Sequence, residues 1–262
     1  NPPLIKGGNL STHPQKNTLM NPTFFISDLH LAADLPRVTQ GFFQLLKQLE
    51  GQTQALYVLG DLFEVWVGDD NTNDYNLQII QAFKQLTDSG TQLYFVHGNR
   101  DFMLGHHFAT SCGGILLGER TVINVPTGKL LIEHGDALCT LDEKFMAFRA
   151  QSRHPLWQQT MLAKPLAERV QIAELWRMQS KMQNSNKAEN IMDVTPDAVT
   201  QVLAEQDQHI LLHGHTHRPM IHALTLADGQ TGQRIVLGDW QEESETAVIG
   251  IADEKGVRLE NY

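Results

Sequence analysis

The chain has 262 residues, 41% hydrophobic and 19% charged, with a formal net charge of −10. That length suits one large domain, or a domain carrying an insertion, with a sizeable core. The acidic balance argues against broad non-specific binding of nucleic acid, which needs lysine and arginine to displace counterions, so no nucleic-acid partner is expected; acid is what a divalent-cation site requires.

Residues 1–21 are polar and lack the apolar middle of a signal peptide. They read as a flexible tail, with Met20 as a candidate natural start. The run TFFIS (23–27) predicts a short strand that ends in Asp28-Leu29-His30. Val38, Phe42, Leu45, Leu46 and Leu49 then recur at helical spacing. ALYVLGD (55–61) reads as a buried strand closing on Gly60-Asp61. Leu77, Ile80, Phe83 and Leu86 predict a second helix that stops near Gly90. QLYFVHGNRD (92–101), KLLIEHGD (129–136) and HILLHGHTH (209–217) repeat the pattern of apolar strand, glycine and polar residues. Between Glu143 and Asn190 no strand pattern appears. Phe145, Phe148, Leu156, Trp157, Met161, Leu162, Leu166, Val170, Ile172, Leu175, Trp176 and Met178 fall on helical periods there, interrupted at Pro155 and Pro165. RIVLGDW (234–240) and TAVIGIAD (246–253) return to short strands. The expected organisation is a tail (1–21), an α/β core (22–142 and 191–262) and a helical cap inserted at 143–190.

Two cysteines, Cys112 and Cys139, are too few for a disulfide framework and suit a reducing compartment. No apolar stretch reaches the roughly 18–20 residues that cross a bilayer.

Five apolar strands each deliver polar side chains at the C-terminal end, the rim where open α/β sheets hold ligands. In order these are Asp28 and His30, Asp61, Asn99, His134, His215 and His217. They are oxygen and imidazole donors with no thiolate, which suits manganese, iron or zinc in hydrolytic work. If the segments are extended, Asp28/His30 and His215/His217 at i and i+2 point to one side, with Leu29 turned to the core. Two such pairs sharing a carboxylate can seat two cations roughly 3.5–4 Å apart, the separation used in phosphoryl displacement. The eight other histidines are expected on the surface or in structural hydrogen bonds. His213 alternates with His215 but lies nearest the strand interior, and is left out of the ligand set.

The order D-x-H, GD, GN-x-D, HGD, GHxH resembles the calcineurin-like metallophosphoesterase family over about residues 23–240. The resemblance implies a β-sandwich flanked by helices, with a dinuclear site at the strand ends. It implies that Asp28, His30, Asp61 and His217 hold one ion, that Asp61, Asn99, His134 and His215 hold the other, and that Asp61 bridges. This chain departs from the family's usual GNHD or GNHE, because Arg100 follows Asn99. Arginine gives up no proton near neutral pH but clamps phosphate through parallel hydrogen bonds. That points to a leaving group needing no acid, such as a departing phosphate monoester, and hence to a diphosphate bond.

GNRDF, GDLFEVWVGDD, HGDALCTLDE, IMDV and HGHTHRP resemble the branch of that family that hydrolyses UDP-2,3-diacylglucosamine in lipid A biosynthesis. That branch implies water attack on the α-phosphorus, UMP and 2,3-diacylglucosamine 1-phosphate as products, and two Mn²⁺ per chain. It implies substrate contacts from Asn99, Arg100, Asp142, Ser180, Asn184, Lys187 and His215, of which Ser180, Asn184 and Lys187 share one helix face. It places the chain at the cytoplasmic face of a Gram-negative inner membrane, peripherally, with no obligate protein partner. The 143–190 segment, with eight lysines and arginines against four acids and with Trp157 and Trp176, suits an anionic glycolipid; a helix pair with a solvated basic face has the same composition. A soluble nucleotide phosphodiesterase or dinucleoside polyphosphatase would share the metals without needing an apolar cap. A scaffold that keeps only the fold would be expected to have lost ligands.

Overall fold

The computed structural model describes residues 21–184, 191 and 193–262. Among the described residues the strands form two sheets. The first runs β11-β10-β1-β2-β3-β4 and is built from β1 (Thr23–Ile26), β2 (Ala55–Leu59), β3 (Gln92–Val96), β4 (Ile115–Leu116), β10 (Val248–Asp253) and β11 (Gly256–Asn261). Strands β1 to β4 are parallel, and β10 and β11 close one side antiparallel. The second runs β5-β6-β7-β9-β8, from β5 (Thr121–Val125), β6 (Gly128–Ile132), β7 (Ile210–His213), β8 (Met220–Thr225) and β9 (Thr231–Val236). Its centre, β6-β7-β9, is also parallel.

Side chains alternate between faces of a strand, and that period sorts the apolar residues into layers. Phe25, Leu59, Val96, Ile132, Leu212 and Ile235 meet between the sheets. Ile26, Leu56, Val58, Leu93 and Phe95 point the other way, onto α1 (Pro36–Leu49), α2 (Asp74–Asp88) and α3 (His106–Ser111). Leu131 and Leu211, one residue out of phase with their inter-sheet neighbours, pack on Val199, Val202 and Leu203 of α7 (Pro196–Glu205). The result is helices, sheet, sheet, helix, an α/β sandwich. The buried stripe of α2 is Ile79, Phe83 and Leu86, whereas Leu77 is 46% exposed. The predicted helix is therefore present, but its core face is turned by a residue or two from the Leu77–Ile80 phase. Ile79, Phe83 and Leu86 satisfy the i, i+4, i+7 rule equally well, and the pattern alone leaves that choice open.

Between β6 and β7 run α4 (Glu143–Ser152), α5 (Pro155–Leu162) and α6 (Leu166–Asn184). Proline opens α5 at its first turn, where it fits without loss. Trp157 stacks on Trp176 at 5.4 Å, Phe148 meets Trp176 edge-on at 5.6 Å, and Phe102 of the core meets Trp157 at 6.0 Å. Leu156, Leu162, Leu175 and Met178 keep their helical spacing but face outward, at 46–67% exposure.

The loops after β2 and β3 are tied to each other by Asp101. This carboxylate, 2% exposed, accepts from the backbone N–H of Asp61 (3.3 Å), Leu62 (2.7 Å) and Gly98 (2.8 Å). Gly60, at φ +88, sits where a Cβ would come within 2.6 Å of the Gly98 backbone, so the two turns touch only because both are glycine. Hydrogen bonds to a buried charge each contribute about 1.5–3 kcal/mol. Asp101→Ala is expected to lower unfolding stability by about 3 kcal/mol, as read by urea denaturation with an unchanged m-value.

Candidate metal centre

The rim residues do not continue their strands. Asp28, His30, Asp61, His215 and His217 take φ values of 54, 50, 51, 68 and 55°, in the left-handed region. Side chains with a Cβ occupy that region at a cost of about 1–3 kcal/mol each, and such residues gather at functional sites. This corrects the extended i, i+2 geometry read from the sequence. Leu29 does turn into the core, fully buried, but its neighbours are aimed by left-handed kinks. Hydrogen bonds between loops hold the kinks: Asp28 N–H donates to Gly60 O (3.1 Å), His30 N–H to Asp61 O (3.0 Å) and Gly214 N–H to His134 O (2.9 Å).

The seven side chains converge. Donor atoms of Asp28, His30 and His217 lie within 4.8 Å of one another, as do those of Asp28, Asp61 and His134. Asp61 straddles the site, one oxygen 3.9 Å from His30 Nε2 and the other 3.6 Å from His134 Nε2. His134 Nε2 is also 3.0 Å from Asn99 Oδ1. The His215 ring packs against that of His134 at 5.0 Å, and its backbone N–H donates to Asp28 Oδ2 at 2.8 Å. The other Asp28 oxygen is buried, accepts no hydrogen bond within the described residues, and lies 3.4 Å from His217 Nε2. A buried carboxylate oxygen without a donor is costly, and a cation among these histidines removes the cost. The donor set therefore fits divalent cations.

Three of the four imidazoles turn Nε2 inward with Nδ1 facing a partner behind the ring. Nδ1 of His30 lies 3.1 Å from Glu64, that of His217 3.4 Å from Asp239, and that of His134 2.8 Å from the Leu59 carbonyl. An acceptor behind a metal-binding histidine fixes its orientation and raises its basicity. Burial alone would lower His217, but the neighbouring Asp239 and Asp28 carboxylates outweigh it and raise the ring to about 10. Burial likewise opposes the charge on His30 and His134, yet the neighbouring carboxylates raise both. Burial would raise Asp28, but His217, His134 and His30 hold it well below the usual carboxylate range. His215, desolvated beside His134, falls to about 3 and stays neutral.

Residues 22–219 match the family model described as calcineurin-like phosphoesterase. The chain belongs to that family. A protein of Chromohalobacter salexigens named UDP-2,3-diacylglucosamine hydrolase is 48% identical over 84% of this chain and 89% of its own length. Proteins of the same name in Cellvibrio japonicus (48%, covering 84% of this chain and 92% of the relative) and Aeromonas hydrophila (46%, covering 92% and 98%) are similar in the same way. The metallophosphoesterase fold places its rim at the mouth of a cavity of about 530 Å³. Asn99, Arg100, His215 and His217 are among its polar lining residues, with charged groups such as Glu64, Lys144 and Arg177. Val65, Phe102, Met103, Phe148, Met161 and Trp176 line its apolar walls.

Asp142, Arg100 and Ser180 line this cavity. Asp142 also caps α4, accepting from Phe145 N–H. Asn184 is the last residue of α6, and its side chain, like the whole of Lys187, lies outside the described residues. His213 is buried with Nδ1 on the Gly214 carbonyl, and burial lowers it to about 4. His97 contacts the Leu104 carbonyl at 2.6 Å and His222 contacts Arg234 at 2.8 Å. Trp66 is core, 3% exposed, with its indole N–H on Asp69. Sequence reasoning missed Glu64 and Asp239 as histidine partners. Both sit inside runs it had singled out, three residues after Asp61 and just before Trp240, but nothing in their spacing marks a pairing across the fold.

Raised histidines must lose protons before they can bind a metal. At pH 7 addition of Mn²⁺ to the metal-free protein is expected to release protons, seen as a dependence of calorimetric enthalpy on the buffer's ionisation enthalpy. Affinity falls as pH drops, because the protonated rings compete. Glu64→Gln is expected to weaken Mn²⁺ binding by about 10-fold or more.

Proposed function

We propose that the chain hydrolyses the diphosphate bond of UDP-2,3-diacylglucosamine, giving UMP and 2,3-diacylglucosamine 1-phosphate in lipid A biosynthesis. One observation carries the reading: the cluster of carboxylate and imidazole donors borders a cavity lined by both polar groups, Asn99, Arg100, His215 and His217 among them, and apolar side chains, Val65, Phe102, Phe148, Met161 and Trp176 among them. An amphiphile with its diphosphate at one end and acyl chains at the other fits that polarity. The relatives' shared name supports it. A soluble nucleotide phosphodiesterase has no use for such walls.

Asp28, His30, Asp61 and His217 would hold one ion, and Asp61, Asn99, His134 and His215 the other, with Mn²⁺ as the proposed metal. Two such ions supply a water of lowered pKa and neutralise charge on the attacked phosphate. The protein's own groups supply orientation. Glu64, Asp239 and the Leu59 carbonyl hold the three rings to one tautomer. Arg100 is held in place by its backbone, whose N–H donates to Asp61 Oδ1 at 2.8 Å and whose carbonyl accepts from Trp66. From there its guanidinium clamps the β-phosphate, which departs as a stable anion without a proton. Asp142, Ser180, Asn184 and Lys187, with Asn99 and His215, contact the sugar and phosphates, while α4–α6 cap the acyl chains.

The cap's basic composition serves a different end from the one its charge suggested. Arg149 and Arg153 pair with Asp136, Arg169 with Asp70 and Arg177 with Glu64. Half of its eight cations thus fasten it to the core. Among the described residues no helix is long and apolar enough to cross a membrane. Contact with the cytoplasmic face of the inner membrane falls instead to Leu156, Leu162, Leu175, Met178 and Met182, which are 46–69% exposed on α5 and α6.

The test is hydrolysis of detergent-dispersed UDP-diacylglucosamine with Mn²⁺ in ¹⁸O-water. The account expects label in UMP, loss of turnover with chelator, and a drop of about 100-fold or more in Asn99→Ala and His134→Ala. Label in the lipid phosphate, or equal turnover of an acyl-free UDP-sugar, overturns it.

A further inference from the structure

Arg153 follows α4 as its C-terminal cap, and its guanidinium reaches two of the loops that carry candidate metal ligands. Its Nη2 donates to the Gly98 carbonyl at 2.9 Å, next to Asn99, and to Asp136 Oδ2 at 3.3 Å, two residues after His134. Its guanidinium lies 5.6 Å from the ring centroid of Phe102, a wall of the cavity, and Phe102 itself packs against Trp157 and Phe148. Asn99 and His134, 3.0 Å apart, belong to the same half of the centre. A single planar group thus joins the end of a cap helix, an aromatic wall of the lipid cavity and the two turns that present Asn99 and His134. Both hydrogen bonds leave from Nη2, at the far end of a side chain longer than lysine's, while the planar, delocalised guanidinium also lies by the Phe102 ring.

We infer that Arg153 is a positioning residue that couples the seating of α4–α6 to the alignment of Asn99 and His134, so that lipid held in the cavity strengthens cation binding at that pair. The inference rests on the proposed glycolipid substrate. By linkage the coupling is reciprocal: whatever seats the cap favours the aligned pair, and a cation on the pair favours the seated cap. The other half of the centre, with Asp28, His30 and His217, has no contact to Arg153 and is outside the coupling.

The test compares wild type with Arg153→Met and Arg153→Lys. Asp136 keeps Arg149 in each, at 2.8 Å, so neither variant strands a buried carboxylate. Mn²⁺ binding is followed by electron paramagnetic resonance with and without the product lipid, 2,3-diacylglucosamine 1-phosphate. In wild type, lipid is expected to tighten one of the two Mn²⁺ steps more than the other. In Arg153→Met that lipid-responsive step weakens by about 10-fold and no longer responds to lipid, while the other stays within about 2-fold. Arg153→Lys, which keeps the charge on Asp136 but loses Gly98, gives an intermediate value. Two unaltered Mn²⁺ steps in Arg153→Met with the lipid effect intact overturn the inference. So does equal weakening of both steps, which describes a general structural role. Wild type that turns over no UDP-diacylglucosamine refutes the substrate instead, a result separate from the Mn²⁺ titration.

Discussion

Two carboxylates, Asp28 and Asp61, are buried at 0% and 2% exposure with oxygens within 4.8 Å of each other. Like charges at that distance, out of water, repel strongly, and much of the molecule answers that repulsion. His30, His134 and His217 surround the pair, and each is raised toward its charged form by the acids it faces. Backbone N–H groups of His215 and Arg100 donate to one oxygen of each carboxylate. These are partial remedies: one Asp28 oxygen accepts no hydrogen bond within the described residues, and a cation among the histidines would complete the set. Two buried acids ringed by imidazoles are thus the mark of a centre suited to divalent ions.

That organisation is held by turns rather than by strands. Five of the seven donors stand at left-handed φ, and the loops carrying them are laced together through Asp101, Gly60 and Gly98. The inter-sheet core fixes where the strands end, and the kinks fix where the side chains point. Pre-set geometry of this kind removes reorganisation at the moment of reaction. Its cost is local strain, offset by the burial of residues such as Leu29, Leu59 and Leu212 on either side.

Much of this was legible in the residues. Short apolar runs marked the strands, all but the first ending in a glycine and a polar group, because a parallel strand must turn sharply at the rim where ligands sit. The donor set was readable because its chemistry is specific: oxygen and imidazole, no thiolate, always after a strand. What could not be read is whatever depends on contacts between distant segments. Glu64 behind His30 and Asp239 behind His217 look like ordinary surface acids in the sequence. The left-handed turn at Asp28 carries no glycine to announce it. The net positive charge of α4–α6 suggested an outward basic face, yet Arg149, Arg153, Arg169 and Arg177 turn inward to Asp136, Asp70 and Glu64. Composition counts charges but cannot say which already have partners.

The account stands on two cations sharing Asp61. Anomalous diffraction from crystals grown with Mn²⁺ tests this most directly. It predicts two peaks roughly 3.5–4 Å apart with the Asp61 carboxylate between them, one touched by Asp28, His30 and His217 and the other by Asn99, His134 and His215. A single peak, or two that leave Asn99 and His134 without a metal contact, would contradict it.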